Sequence, residues 1–191
     1  MKFCPVYLIF GGLLAGFAVT LPAVTSEGAP ISHSQHLVIE SPAYPHNGSM
    51  PARFTCDGQD ISPPLAWSGA PPGTKSFVLM IDDPDAPDPA APKMTWVHWI
   101  LYDIPASVHS LPEGASRQLP AGTREGANGW QQTGFRGPCP PIGRHRYFHK
   151  LFALDVVLPD LHTPDEARLE AAMRGHVLAE ARFIGTYRHP G

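Results

Sequence analysis

Two apolar segments constrain the fold of this chain more than any other feature. Residues 75–81 are nearly all apolar, and residues 95–104 carry bulky side chains at both odd and even positions. Because successive side chains of a strand point to opposite faces, such runs predict strands that are buried on both faces. We therefore expect both segments inside a sheet that is covered on either side.

Other segments with β-branched and aromatic residues predict further strands. They are residues 37–39, 51–55, 147–158 and 177–187. Proline and glycine number 23 and 18, and 43% of the chain is hydrophobic. That many turn-forming residues in a chain with enough apolar residues for a core favours many short strands joined by tight loops. The prediction is one mainly β domain over residues 35–188.

One helix is predicted late in the chain. Thr163, Pro164 and Glu166 have the spacing of a capping box with proline at the first helical position. Apolar residues follow at helical spacing, and Gly175 is placed to end the helix.

The first 29 residues are typical of a secretory signal peptide. Lys2 supplies a positive start, residues 6–21 are apolar, and small residues follow between positions 23 and 29. The apolar run is short for a membrane-spanning helix, which needs about 20 residues. We expect cleavage within residues 23–29, an exported chain in the periplasm or secreted, and a mature chain without a transmembrane segment.

The cysteines and the net charge narrow the class of protein. Removing a signal peptide takes Cys4 with it and leaves Cys56 and Cys139. An even pair in an exported chain predicts one disulfide, worth up to roughly 4 kcal/mol in a loop of about 80 residues. The alternative is two buried thiols that never meet. The net charge is −3, and no basic cluster is longer than residues 144–146, so we expect no nucleic-acid partner.

Acidic residues follow the first buried strand. Asp83 and Asp85 lie in a proline-rich run, residues 82–93, which we interpret as loop. The run could be a rigid turn and nothing more, since aspartate caps local amides and proline fixes φ. Its position after a buried strand, together with a cis bond predicted before Pro87, favours a functional site.

His98 lies between two tryptophans and is a second candidate site residue. Strand alternation puts it on one face with Trp96, Ile100 and Tyr102. It could be a core histidine with satisfied nitrogens. A carboxylate from the Asp83 loop would instead fix its tautomer and leave the other nitrogen for a ligand.

The third candidate segment is residues 137–147. Its glycines and prolines allow backbone amides to approach a ligand closely. His145 and Tyr147 lie on one side of the following strand, whereas Arg146 points to the other and is solvated or ion-paired. We treat the remaining histidines as surface residues; they are His33, His36, His46, His109, His149, His162, His176 and His189.

These three segments resemble the phosphatidylethanolamine-binding protein family, also called Raf kinase inhibitor-like proteins. The matching motifs are residues 83–87, residues 96–99 and residues 137–147, in that order, and residues 54–58 with 62–67 look like the bacterial branch. The resemblance covers residues 37–187. It implies an antiparallel β-sandwich, to which the capping-box residues add one short helix in the C-terminal region. It also implies a small pocket for phosphate or a phosphorylated head group, formed by Asp83, Asp85, Pro87, His98, His145 and Tyr147.

The sequence therefore predicts a non-catalytic binding protein for a small anionic or phosphorylated ligand, without cofactor or metal. Three alternatives stay open. A hydrolase could use Asp83 and His98 as an acid–base pair, although the chain has no G-x-S-x-G motif. A zinc site could use Asp83, His98 and His145. The protein could also modulate a protein partner through the loops around the pocket.

Overall fold

The computed structural model describes residues 1–3 and 36–190. The predicted signal peptide, apart from its first three residues, lies outside the described residues, as does Cys4. No helix of the described residues is long and apolar enough to cross a membrane. The elements below all belong to one of two units of the chain, Ser34–Gly191.

Two antiparallel sheets form this unit, which confirms the predicted mainly β class and the sandwich. The smaller sheet has the order β1-β2-β5, and the larger has the order β6-β4-β3-β7-β8. The strands are β1 Val38–Glu40, β2 Leu65–Ser68, β3 Ser76–Ala86, β4 Met94–Pro105, β5 Ser110–Leu111, β6 Arg124–Glu125, β7 His145–Leu154 and β8 Val177–Tyr187. One α-helix, α1 Glu166–Met173, and two short 3-10 helices, Ala52–Phe54 and Ala115–Arg117, complete the described elements.

Strands β3 and β4 are buried on both faces, as the apolar runs predict. Phe77 and Leu79 of β3 point into the core between the two sheets. Val78 and Met80 point the other way, into a second core that Leu169 and other residues of α1 help to form. The larger sheet therefore lies between the smaller sheet and the helix.

The prediction that residues 82–93 are loop was wrong at its beginning. Strand β3 continues to Ala86, because Asp83 and Ala86 still pair with Trp96 and Met94 of β4. On its other side β3 pairs with β7 only as far as Asp82. Pro84 therefore lies where one neighbour is missing and the register shifts, a position at which a strand tolerates proline.

The predicted strand at residues 51–55 was also wrong. Its backbone bonds are local, from Phe54 N to Pro51 O and from Thr55 N to Ala52 O, which makes a 3-10 helix. Phe54, the last residue of this turn, packs in the core between the sheets, and none of its surface is exposed. Five residues are too few for a periodicity that would separate a strand from a helical turn.

The helix begins later than its predicted capping box. Asp165 is the N-cap, and its carboxylate accepts a hydrogen bond from Arg168 N at 2.9 Å. Thr163 lies before the helix with a positive φ of 60°, so it cannot cap it as predicted. The predicted stop is correct, since the helix ends at Met173 and Gly175 adopts a φ of +80°. Strand β8 has the predicted bounds, whereas β7 begins and ends earlier than expected.

Candidate functional site

A cavity of about 260 Å³ opens where β3, β4 and β7 meet the loop before β7. Five of the six predicted ligand-binding residues line it. The lining residues are Asp83, Ala86, Pro87, Met94, Trp96, His98, Trp130, Cys139, Pro140, Pro141, His145 and Tyr147. The bond before Pro87 is cis, as predicted. Asp85, the sixth predicted residue, is not among the lining residues.

Asp83 binds His145, not His98 as expected. The carboxylate Oδ2 lies 2.7 Å from His145 Nδ1, and its Oδ1 accepts a hydrogen bond from Asp85 N at 2.8 Å. On the other side of the ring, His145 Nε2 donates to Ile142 O at 2.9 Å. Since a carbonyl oxygen only accepts, Nε2 must donate. The hydrogen bond between Nδ1 and the Asp83 carboxylate occupies the other ring nitrogen. His145 therefore has no free nitrogen for a ligand.

His98 obtains its partner from the backbone. Its Nδ1 donates to Arg136 O at 2.6 Å, and only 3% of the residue is exposed. Burial lowers the pKa of the imidazole below its usual value, so the neutral form is favoured. Within residues 36–190, His98 Nε2 has no hydrogen-bond partner. In the neutral ring this nitrogen is an acceptor, and on protonation it becomes a donor.

The predicted face of His98 was only partly correct. Trp96 lines the cavity with it, but Ile100 and Tyr102 belong to the core under the helix. The cause is a register shift between β3 and β4, where Ile81 pairs with Trp99 but Asp82 pairs with Val97. The extra residue in β4 is His98, and such a bulge turns a side chain towards the face opposite to strict alternation.

Tyr147 brings an unpaired hydroxyl to the cavity. The residue is 1% exposed, and its hydroxyl is one of four buried side-chain polar atoms without a hydrogen-bond partner among the described residues. Its ring lies edge-on to His98, with 5.2 Å between the ring centroids. Burial raises the pKa of the phenol, so the hydroxyl keeps its proton and can donate. A buried donor without a partner costs about 1–3 kcal/mol, which a ligand acceptor would recover.

Asp85 is held by Arg146 outside the cavity lining. Arg146 Nε and Nη2 donate to its two carboxylate oxygens at 2.9 and 2.7 Å, and Arg146 N donates at 2.9 Å. These hydrogen bonds lower the pKa of the Asp85 carboxyl. Of the two alternatives for Arg146, the structure shows the ion pair. The pair ties the end of β3 to the start of β7, so Asp85 shapes the site without lining it.

Sequence reasoning missed Trp130, which lies in the loop between β6 and β7. Its ring lies edge-on to Trp96 and His98, at centroid distances of 5.3 and 5.5 Å. The buried Asn128 fixes this loop, since its Oδ1 accepts from Trp130 N at 3.0 Å. Gly129 is required by space, because a Cβ there would lie 2.6 Å from Trp96. A tryptophan in an otherwise polar, glycine-rich loop was the available signal.

His149 is buried, so treating it as a surface residue was wrong. None of its surface is exposed, and it lies between the sheets. Its Nδ1 donates to Tyr147 O at 3.1 Å, and its Nε2 accepts from the Tyr44 hydroxyl at 3.1 Å. Burial lowers its pKa to about 4.

The predicted disulfide between Cys56 and Cys139 is present, with 5.4 Å between the Cα atoms. Cys139 is also part of the cavity wall. Beside the disulfide, Cys56 N donates to Pro138 O at 3.0 Å, and Gly137 N donates to Asp60 Oδ1 at 2.6 Å. The wall formed by the loop before β7 is thus anchored to the loop after Phe54 by both covalent and hydrogen bonds.

A family model described as phosphatidylethanolamine-binding protein matches residues 40–188. The chain belongs to this family. A UPF0098 protein of Methanothermobacter thermautotrophicus is 44% identical over 152 residues, which cover 78% of this chain and 97% of that relative. A UPF0098 protein of Aquifex aeolicus is 43% identical over 154 residues, covering 78% and 86%.

Solved structures of the phosphatidylethanolamine-binding protein family have the same fold. A family homologue from Chlamydia trachomatis superposes with a TM-score of 0.75 at 37% identity, covering 82% of this chain and 99% of that chain. YbcL of Escherichia coli superposes with a TM-score of 0.73 at 31% identity, covering 81% and 99%. Both confirm the predicted fold and family.

Proposed function

We propose that the protein is an exported, non-catalytic binding protein whose cavity holds phosphate or a phosphorylated head group. The observation that carries this proposal is the unpaired, buried hydroxyl of Tyr147 beside the unpaired Nε2 of His98. Buried polar groups are nearly always hydrogen-bonded, so the buried, unpaired Tyr147 hydroxyl indicates that a polar ligand completes it.

The charges around the cavity suit an anion. Asp83 would repel an anion if its carboxylate were free, but His145 and the Asp85 amide occupy both of its oxygens. Tyr147 offers a donor, and His98 offers a donor once it takes up a proton. A protonated phosphate oxygen could alternatively donate to neutral His98. Either arrangement favours a phosphate-type oxyanion.

The size of the cavity favours a small ligand. Its volume of about 260 Å³ lies below the range of roughly 300–1,000 Å³ that is usual for drug-sized ligands. A phosphate or a phosphorylated head group is therefore better matched to it than an acyl chain.

The arrangement of the acidic and basic groups supports a role without catalysis. The hydrolase alternative requires Asp83 to act with His98, but Asp83 hydrogen-bonds His145 and His98 bonds the Arg136 carbonyl. The alternative zinc site at Asp83, His98 and His145 is disfavoured as well, because both nitrogens of His145 already have protein partners.

Export is supported by two features of the chain. The first 29 residues are typical of a signal peptide, and Cys56 and Cys139 form a disulfide. Disulfides persist in oxidising compartments and are rare in the cytosol.

Replacing Tyr147 by phenylalanine tests the binding function. We expect the affinity for inorganic phosphate to fall about 10- to 100-fold, since a hydrogen bond to a charged group contributes roughly 1.5–3 kcal/mol. The free energy of unfolding without ligand should stay equal or rise, because the variant removes a buried unpaired hydroxyl. Isothermal titration calorimetry and urea unfolding measure the two quantities.

Tyr102→Phe is the matched control. This tyrosine is also buried, but its hydroxyl accepts from Leu161 N at 3.3 Å in the core under the helix. The Tyr102→Phe variant should bind phosphate with the affinity of the wild type. Equal phosphate affinity in Tyr147→Phe and wild type, or no binding by either, would contradict the proposed function.

A further inference from the structure

A second cluster of chemically active side chains surrounds the disulfide. The ligand atoms of Cys56, Cys139 and His189 all lie within 4.8 Å of one another. His189 Nδ1 donates to Asp57 Oδ2 at 2.9 Å, and the Tyr187 hydroxyl donates to the same oxygen at 2.5 Å. A disulfide needs neither a histidine nor a carboxylate beside it, so the disulfide alone does not explain why His189 and Asp57 lie here.

We infer that reduction of the Cys56–Cys139 disulfide converts this corner into a zinc site. The two thiolates and the His189 imidazole bind the ion, and a fourth position stays open to water. Two sulfurs and one imidazole nitrogen form a ligand set that suits zinc, and an open fourth position is typical of zinc sites that exchange ligands.

The geometry requires little rearrangement. In a tetrahedral zinc site with Zn–S bonds of about 2.3 Å, the two sulfurs lie about 3.8 Å apart. The Cα atoms of the two cysteines are 5.4 Å apart, so side-chain rotation brings the sulfurs to that separation. The loops that carry them stay together after reduction, because the Cys56–Pro138 and Gly137–Asp60 hydrogen bonds join the same two segments.

Asp57 is the positioning residue of this site. Metal-binding histidines usually donate their second ring nitrogen to a carboxylate, which fixes the ring's tautomer and orientation. The bond from His189 Nδ1 to Asp57 provides this contact and leaves Nε2 for the metal.

The site is accessible to both a reductant and an ion. The side chain of His189 is 38% exposed, and both cysteines lie on the surface. Reduction by a dithiol places two electrons and two protons on the cysteine sulfurs, and the dithiol closes to its own disulfide. Zinc then displaces the two thiol protons and binds two thiolates.

Cobalt titration of the full chain carrying Cys4→Ser tests the inference. The protein is reduced with a dithiol, desalted without oxygen and titrated with Co²⁺ alone. We expect one equivalent to produce thiolate-to-cobalt charge-transfer absorption, which Zn²⁺ abolishes by displacement. The oxidised protein should show no such absorption.

Three variants separate the roles of the neighbouring residues. His189→Ala should lower Co²⁺ affinity at least about 10-fold, and Asp57→Asn should lower it about 10- to 100-fold while the thiolate absorption remains. His176→Ala is the matched control, since that histidine pairs with Asp155 at 2.9 Å elsewhere and should have no effect.

Two results would overturn the inference. One is reduced wild type without thiolate absorption, or with affinity equal to that of His189→Ala. The other applies if reduction abolishes the near-ultraviolet circular dichroism of the protein. Failure of Co²⁺ to restore this signal would then contradict a zinc site, whereas restoration would support it.

Discussion

Replacing Asp83 by alanine should lower the free energy of unfolding by about 3–5 kcal/mol, because it breaks a buried charged pair and leaves one partner behind. Asp83 and His145 are 4% and 1% exposed, so the lost contact is largely shielded from bulk water. The substitution also removes the acceptor of the Asp85 amide. Urea unfolding at about pH 7 measures the effect, since the midpoint should fall while the slope is unchanged.

Asp83→Asn is the informative control. Its amide oxygen can still accept from Asp85 N, and its NH₂ group can donate to an unprotonated Nδ1 of His145. We expect a loss of only about 1 kcal/mol, the value of an ordinary hydrogen bond. Equal destabilisation by asparagine and alanine would show that the negative charge itself is essential, and no loss in alanine would contradict the pair.

The second large effect is the acid sensitivity that His149 confers on the fold. The unfolded chain protonates this histidine near pH 6.5, whereas burial keeps it neutral in the folded protein down to about pH 4. Between these values the unfolded state binds more protons, so stability falls as the pH falls. The contribution of His149 should amount to about 3 kcal/mol of lost stability across this window.

A double variant isolates that contribution. The variant Tyr44→Phe/His149→Leu removes both partners of the Tyr44–His149 hydrogen bond, so neither of these side chains is left with an unpaired polar atom. Urea unfolding at steps between about pH 6.5 and pH 4 should show a shallower loss of stability in the variant than in the wild type. Parallel curves for the two proteins would exclude His149 as the source of the acid sensitivity.

The buried strands were predictable because their signal is local and strong. Residues 75–81 and 95–104 are apolar at both parities, and β3 and β4 are the strands with a core on each face. The three sequence motifs also correctly predicted that Asp83, His98, His145 and Tyr147 line one cavity. Alternation along β7 could have located His149, since Tyr147 and Leu151 flank it at two-residue spacing and all three are buried.

The hydrogen-bond partners within the site were not predictable from the sequence. Whether Asp83 meets His98 or His145 depends on strand register, and the extra residue at His98 changes that register within one pair of strands. The partner of His98 is a backbone carbonyl, that of Arg136, which no side-chain pattern reveals. Trp130 reaches the cavity from a loop that Asn128 orders through its own side chain, a contact between residues without periodic spacing.

An anion site at His98 and Tyr147 can be tested by following the ring nitrogens of His98 by NMR during titration with sulfate. Sulfate keeps its charge between about pH 5.5 and pH 8, so any pH dependence belongs to the protein. We expect saturable shifts at His98 and small ones at His145. Affinity should fall at least about 10-fold as pH rises across this range, because sulfate, lacking a proton to donate, needs protonated His98. Unchanged His98 signals with both sulfate and phosphate, or equal sulfate affinity at about pH 5.5 and pH 8, would exclude this anion site.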